Sequence, residues 1–180
     1  MKNHTMKLAF SGMITALSTV VLFLTNLVPA ASYSLPALAG ALMVVAVIEI
    51  GESWAWAAYI AASLLSLLVV ADKEASLIFI LLFGYYPILK ARFERIKTRP
   101  LVWAAKFALF NVAVIAEFFL TIHLLGVPEE SYSLFGVYLP WVFLLMGNLI
   151  FLLYDYCVSC MVVVYCQRMH KMVHKWLHLK

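Results

Sequence analysis

The sequence predicts an all-α polytopic membrane protein with six transmembrane helices and both termini in the cytoplasm. Of its 180 residues, 66% are hydrophobic and only 12% are charged, whereas a soluble domain is about half apolar and about one quarter charged. The apolar residues form runs close to the roughly 20 residues that a spanning helix needs. Five basic residues and one acid lie together in the segment 90–100, and basic segments between spans stay in the cytoplasm.

The predicted spans follow one another in a single membrane domain, 1–180, and cover residues 8–28, 35–50, 54–71, 75–89, 101–125 and 138–166. Pro29 ends the first apolar run, which is long enough to be an uncleaved helix rather than a signal peptide. The second run is short for a span, which predicts a tilted helix or one that begins inside the preceding loop. An acidic turn with Glu49 and Glu52 closes it.

The remaining runs and the charges between them set the orientation. The third run closes at the charged residues 72–74, the fourth enters the basic cytoplasmic loop 90–100, and Pro100 suits the first turn of the fifth helix. With that loop inside, four spans before it and two after it place both termini inside. The external loops then hold one basic residue, Lys73, so the bias predicts a multi-pass protein of a bacterial cell (inner or plasma) membrane.

The basic residues raise the sequence pI to about 9.0. They lie at span ends, which predicts contact with membrane lipids and not with nucleic acid. The last span is followed by an amphipathic basic tail, 167–180, whose histidines share one helix face: His170, His174 and His178. This spacing can bind a metal, but no acid or cysteine stands beside it. We therefore favour an amphipathic extension on the anionic inner leaflet and predict no metal site.

Cys157 and Cys160 form a C-x-x-C pair inside an apolar helix. A redox role would need a second cysteine pair to relay electrons, and the only other cysteine is Cys166. We discount that role. The sequence contains no H-E-x-x-H, G-x-S-x-G or P-loop motif. It therefore predicts a protein that is not an enzyme and that needs no cofactor.

Polar side chains inside the spans are costly in hydrocarbon and therefore indicate function. Glu117, in the outer half of the fifth span, needs a partner, a cavity or a proton. Lys106 lies about 16 Å below it on the same helix face, too far for a direct pair, and is expected to snorkel to the inner interface. Asn148 lies in the outer half of the sixth span, where it can line a site with Glu117. Asp155 lies deeper, and we interpret it as structural.

Three further polar or aromatic residues lie at the predicted outer side. Asn26 and Tyr33 flank the first external loop, and Trp141 stands at the outer end of the last span. Tyrosine and tryptophan at this level usually belong to the interfacial aromatic belt. We favour that role, and ligand contact is the alternative.

Small residues share one face of the first span at Ala9, Gly12 and Ala16. In lipid, small faces let helices approach closely. Packing within the protein is the favoured interpretation of any single face of this kind. Contact with a partner protein is the alternative for this one.

Two short segments carry a resemblance to a known family. The opening segment 7–17 has a basic residue followed by a span rich in small residues, and the segment 35–40 is a proline-containing start of the second span. In these features and in its six-span architecture, the chain resembles the substrate-binding S components of energy-coupling factor transporters.

The resemblance implies a function and a set of site residues. It implies an outer small-molecule site, built from the first external loop and the last three spans, with these candidates: Glu117, Asn148, Trp141, Asn26 and Tyr33. It also implies that Ala9, Gly12 and Ala16 contact a transmembrane coupling subunit, with two ATPase subunits beneath it. Such a chain binds a vitamin or related micronutrient and leaves ATP hydrolysis to its partners.

A second interpretation is a non-catalytic six-span membrane scaffold, similar to the cell-shape proteins of the cell-wall elongation machinery. A scaffold would act through its cytoplasmic loop and tail and would need no ligand site. The two interpretations differ in whether Glu117 and Asn148 line a pocket or only pack.

Overall fold

A computed structural model describes residues 2–96, 98–126, 133–134, 137–138 and 140–168. The helices of this part of the chain are α1 Lys2–Phe23, α2 Ser34–Ile50, α3 Glu52–Val69, α4 Lys73–Ile78, α5 Tyr86–Phe93, α6 Arg99–Leu125 and α7 Pro140–Arg168. Two-residue strands, β1 Ser133–Leu134 and β2 Val137–Tyr138, pair antiparallel. The predicted tail lies outside the described residues from position 169 onward, and so do its three histidines.

Five helical segments are long and apolar enough to cross a membrane: His4–Asn26, Glu52–Val69, Lys73–Phe93, Arg99–His123 and Trp141–Arg168. They confirm the prediction of an all-α membrane protein. The remaining helix, α2, is apolar but has only 17 residues, a rise of about 26 Å against a hydrocarbon core of about 30 Å. The sixth span therefore remains a prediction.

A π-helical turn, Phe79–Phe83, joins α4 to α5 within one continuous segment. A π-turn inserts one extra residue into a helix. The hydroxyl of Tyr59 donates a 2.7 Å hydrogen bond to the carbonyl of Ile80 inside this turn, which stabilises the irregular backbone from α3.

The helices form two hydrophobic clusters. The first joins α1, α2 and α3 and includes Phe10, Ile14, Leu22, Met43 and Ala58. The second joins the π-turn and α5 to α6 and α7 and comprises Leu82, Tyr86, Phe110, Ala113 and Phe151. The clusters meet where α2 crosses the π-turn. A Cβ added to Gly40 would lie 2.8 Å from the carbonyl carbon of Phe83 and closer still to its oxygen, so only glycine permits this approach.

One end of the bundle, which we call the basic end, carries the connection between α5 and α6. Arg92 in the last turn of α5 and Arg95 of this connection each pair with Glu52 at the start of α3, at 2.8 Å. The ring of His4 lies 4.8 Å from that of Trp54, also at the start of α3. The beginning of α1 therefore lies at the basic end.

The last turns of α7 lie at the same end. The hydroxyl of Tyr165 donates a 2.8 Å hydrogen bond to Oε1 of Glu49, near the end of α2. Helix α5 runs to Phe93 and α6 begins at Arg99, so the connection between them is shorter than the predicted loop 90–100. Helix α5 extends through Lys90 because that side chain is buried against α7, where it bonds to Asp155.

Candidate functional site

The opposite end of the bundle, which we call the acidic end, brings the loop after α1 close to α6. Tyr33 precedes α2. Glu117 lies on α6, about 9 Å before His123, where the spanning part of that helix ends. Desolvation raises the pKa of the Tyr33 hydroxyl above its usual 10.0, and the nearby charges of Glu117, Glu74 and Asp72 raise it further. Tyr33 is nevertheless 59% exposed, so its side chain is accessible from outside the bundle.

Glu117 itself is partly buried. Its Oε1 accepts a 3.1 Å hydrogen bond from the hydroxyl of Thr121, one turn further along α6. Thr121 is fully buried, so this bond holds one carboxylate oxygen against the helix. A carboxylate held this way beside a phenol can accept hydrogen bonds from a ligand or pair with a cationic group.

Asp72 ties the two loops of the acidic end together. Its Oδ2 accepts a 2.6 Å hydrogen bond from Ser32, while its Oδ1 caps α4 by accepting from the backbone N–H of Ala75 at 3.0 Å. The side-chain oxygen of Asn26 accepts from the N–H groups of Ala71 and Asp72, at 3.0 and 3.2 Å. Asn26 therefore positions a loop through its oxygen, and its role as a ligand contact stays a prediction.

Lys73, the basic residue predicted among the external acids, turns toward α3. Its Nζ donates to the carbonyls of Leu67 and Val70, at 2.7 and 2.8 Å. Lysine is favourable at this position because the C-terminal carbonyls of a helix carry partial negative charge. The ammonium group is thereby directed to the end of α3.

Asn148 forms a reciprocal pair with Asn111 across α6 and α7. Each amide nitrogen donates to the oxygen of the other at 3.1 Å. The second N–H of each amide bonds to the carbonyl four residues earlier, that of Phe107 for Asn111 and that of Leu144 for Asn148. All four N–H groups are thus used between or within the helices. Asn148 therefore uses its amide N–H groups within the bundle, and a ligand site that it shares with Glu117 stays a prediction.

Trp141 begins the spanning part of α7 and is strongly exposed, with 72% of its surface accessible. Exposure at a helix end is what an interfacial belt residue needs, and ligand contact stays a prediction. Ala9, Gly12 and Ala16 are all exposed on α1. A Cβ added to Gly12 would meet no atom within 4 Å. The face formed by these small residues is therefore open within the described part of the chain.

A second polar centre, which we call the ion cluster, lies nearer the basic end. Asp155 of α7 is 5% exposed, and Lys90 of α5 and Lys106 of α6 are 2% and 4% exposed. Both ammonium groups bond to the Asp155 carboxylate, Lys106 at 2.9 and 3.1 Å to its two oxygens. The hydroxyl of Tyr86 donates to the same carboxylate. Glu94 lies at the edge, with its Oε1 3.2 Å from Nζ of Lys90.

Two members of the ion cluster, Lys106 and Asp155, stand out in the sequence as charged residues inside spans, but not as partners. Lys106, predicted to snorkel to the inner interface, is buried instead, because Asp155 provides a counter-charge across the helix interface. Lys90, predicted in the loop 90–100, lies in α5. The depth of these residues within the predicted spans could have indicated the pair. An acid inside the last span, Asp155, needs a base at the same level of the membrane, and Lys106 lies at that level.

The three cysteines of α7, Cys157, Cys160 and Cys166, are exposed and carry free thiols.

No family of known proteins has a model that matches the chain, and no match appears among curated proteins or solved structures. The geometry of the described residues is therefore the basis for a function.

Proposed function

We propose that this chain is a membrane substrate-binding subunit for the uptake of a vitamin or related small micronutrient. It works with a separate ATP-hydrolysing module made of a transmembrane coupling subunit and two ATPase subunits. The proposal rests on the acidic end, where hydrogen bonds to Asn26 and Asp72 join its two loops and where the charge of Glu117 from α6 acts on Tyr33 of the first loop. The resemblance to the S components implies a ligand site built in part from the same two elements, the first external loop and the fifth predicted span.

The distribution of charge supports an orientation suited to uptake. Arg92 and Arg95 are exposed at the basic end, which belongs in the cytoplasm by the positive-inside rule. The start of α1 and the end of α7 lie at that end as well. We propose that the chain crosses a bacterial inner membrane six times with both termini in the cytoplasm, α2 being the short span. The acidic end then faces outward, where an uptake protein meets its substrate.

The acidic end also favours a type of ligand. Asp72, Glu74 and Glu117 place negative charge around Tyr33, and the ammonium group of Lys73 is bonded to the end of α3. A ligand with a cationic or hydrogen-bond-donating group fits these acceptors. An aromatic part of the ligand would have the exposed ring of Tyr33 as a stacking partner.

The face of Ala9, Gly12 and Ala16 supports a coupling role for α1. It is exposed and offers no side chain larger than a methyl group, so another helix can approach its backbone closely. The other face of α1 packs against α2 and α3 through Phe10, Ile14 and Leu22. One helix can thus hold the bundle and contact a partner at the same time.

The test is native mass spectrometry of protein purified gently from its own host. We expect one bound small molecule and co-purification of an ATPase module. Glu117→Gln should lower the affinity for the bound molecule at least about tenfold, because a hydrogen bond to a charged group contributes about 1.5–3 kcal/mol. Glu94→Gln is the matched control, since it removes a carboxylate at the basic end.

Two results would contradict the proposal. The first is equal occupancy in wild type and Glu117→Gln, which would leave Glu117 as a packing residue. The second is the absence of both a bound molecule and an ATPase module, which would favour the membrane scaffold.

A further inference from the structure

The ion cluster contains more positive than negative charge in its buried part. Lys90 and Lys106 each carry one positive charge, and Asp155 carries one negative charge that both share. Tyr86 and Lys90 already bond to the Asp155 side chain, and Lys90 also donates to the Asp155 backbone carbonyl at 3.0 Å. Asp155 therefore has a sufficient partner in Lys90 alone, and one ammonium group is in surplus.

The surplus charge has a weakly held counter-ion. Glu94 is 51% exposed, and its Oε1 lies 3.2 Å from Nζ of Lys90 and 3.7 Å from Nζ of Lys106. An ion pair with so exposed a carboxylate contributes little, because water solvates the carboxylate almost equally well. Glu94 follows the last residue of α5, so its side chain can turn to water without disrupting a helix.

The ion cluster lies beside an exposed tryptophan, Trp103, near the start of α6. Trp103 is 41% exposed, and Nζ of Lys106 lies 5.2 Å from the centre of its ring. Arg99, at the start of α6, is exposed and lies seven residues from Lys106, about 10 Å along the helix. Exposed tryptophan marks the interface between hydrocarbon and headgroups. An anionic group at this interface is one or two helical turns from the surplus charge.

We propose that Lys90 and Lys106 form a binding site for a phosphate group, which takes the position of the Glu94 carboxylate. A phosphate carries at least one full negative charge and several acceptor oxygens, so it can bond to both ammonium groups where Glu94 offers one shared oxygen. The phosphate belongs to the headgroup of an anionic phospholipid or to a free phosphate ion. This site is at the opposite end of the bundle from Glu117 and does not depend on the proposed uptake function.

The test is native mass spectrometry of the full chain from micelles that contain phosphatidylglycerol and phosphatidylcholine. Lys106→Gln should lower the retained phosphatidylglycerol about tenfold, because it removes a hydrogen bond between two charged groups. The variant should still fold, because Lys90 and Tyr86 remain on Asp155. Glu94→Gln should raise retention by a smaller factor, about twofold, since it removes a competing carboxylate that is only weakly held. Arg95→Gln is the matched control: it removes a base of the same end that pairs with Glu52 outside the cluster.

Each outcome decides the proposal. If excess inorganic phosphate displaces the lipid from wild type, free phosphate is a ligand of the same site; if it does not, the lipid headgroup is the ligand. Phosphatidylglycerol retention that is unchanged in both Lys106→Gln and Glu94→Gln would overturn the proposal. So would a loss in Arg95→Gln as large as that in Lys106→Gln, because the basic surface as a whole would then explain the binding.

Discussion

Replacing Asp155 by asparagine should destabilise the protein more than any other single change in the polar interior of the bundle. The substitution keeps the shape of the side chain and removes its charge. Lys90 and Lys106, 2% and 4% exposed, would then lie close together without their shared counter-ion. Among the described residues, Glu94, which is half-exposed, would be the remaining acidic partner of the two lysines.

The expected loss in the free energy of unfolding follows from the burial of the two lysines. Breaking a buried ion pair by removing one partner costs about 3–5 kcal/mol, because an uncompensated charge is left behind. The amide pair of Asn111 and Asn148 provides the comparison within the same bundle. Polar contacts between helices in lipid contribute about 0.6 kcal/mol on average, so replacing both asparagines by leucine, which removes two such contacts, should cost about 1 kcal/mol.

The assay is the free energy of unfolding in mixed micelles, followed by circular dichroism as a denaturing detergent is added. Adding Lys106→Gln to Asp155→Asn should restore part of the lost stability, because it removes the surplus cation. The coupling between the two substitutions measures their interaction directly. The reasoning fails if Asp155→Asn costs no more than the asparagine double variant, or if the two substitutions of the ion cluster add without coupling.

Two other predictions concern the contact between the hydrophobic clusters and the acidic end. Gly40→Ala should destabilise the protein by about 1–3 kcal/mol or more, since the added Cβ collides with the carbonyl of Phe83; Gly12→Ala, which meets no atom within 4 Å, is the control and should be neutral in the same unfolding assay. The tyrosinate absorbance that Tyr33→Phe removes should titrate above pH 10.0, and Glu117→Gln should move that pKa down toward the usual value. The raised pKa means that the folded state favours the neutral phenol of Tyr33. Its titration should therefore leave the free energy of unfolding unchanged below pH 10.0 and lower it as the pH rises above 10.0. A Tyr33 titration that Glu117→Gln leaves unchanged would contradict the electrostatic contact between them.

The membrane class of this protein followed from composition and run length alone. Transfer of apolar residues to lipid and the cost of charges within it act along one dimension, so hydropathy identifies spans without knowledge of the fold. The same argument identified Glu117 and Asn148 as unusual inside their spans. It also located the basic segment near 90–100, although α5 continues to Phe93.

The partners of the polar side chains depended on tertiary structure. The π-turn Phe79–Phe83 adds one residue within its span, which rotates the following helix by about 100° relative to a regular α-helix. That rotation contributes to placing Tyr86 and Lys90 against Asp155. No period in the sequence encodes the insertion. The sequence by itself determined which side chains are costly in the membrane; only the packing of helices decided which of them compensate one another, because compensation requires contact within a few ångströms across helix interfaces.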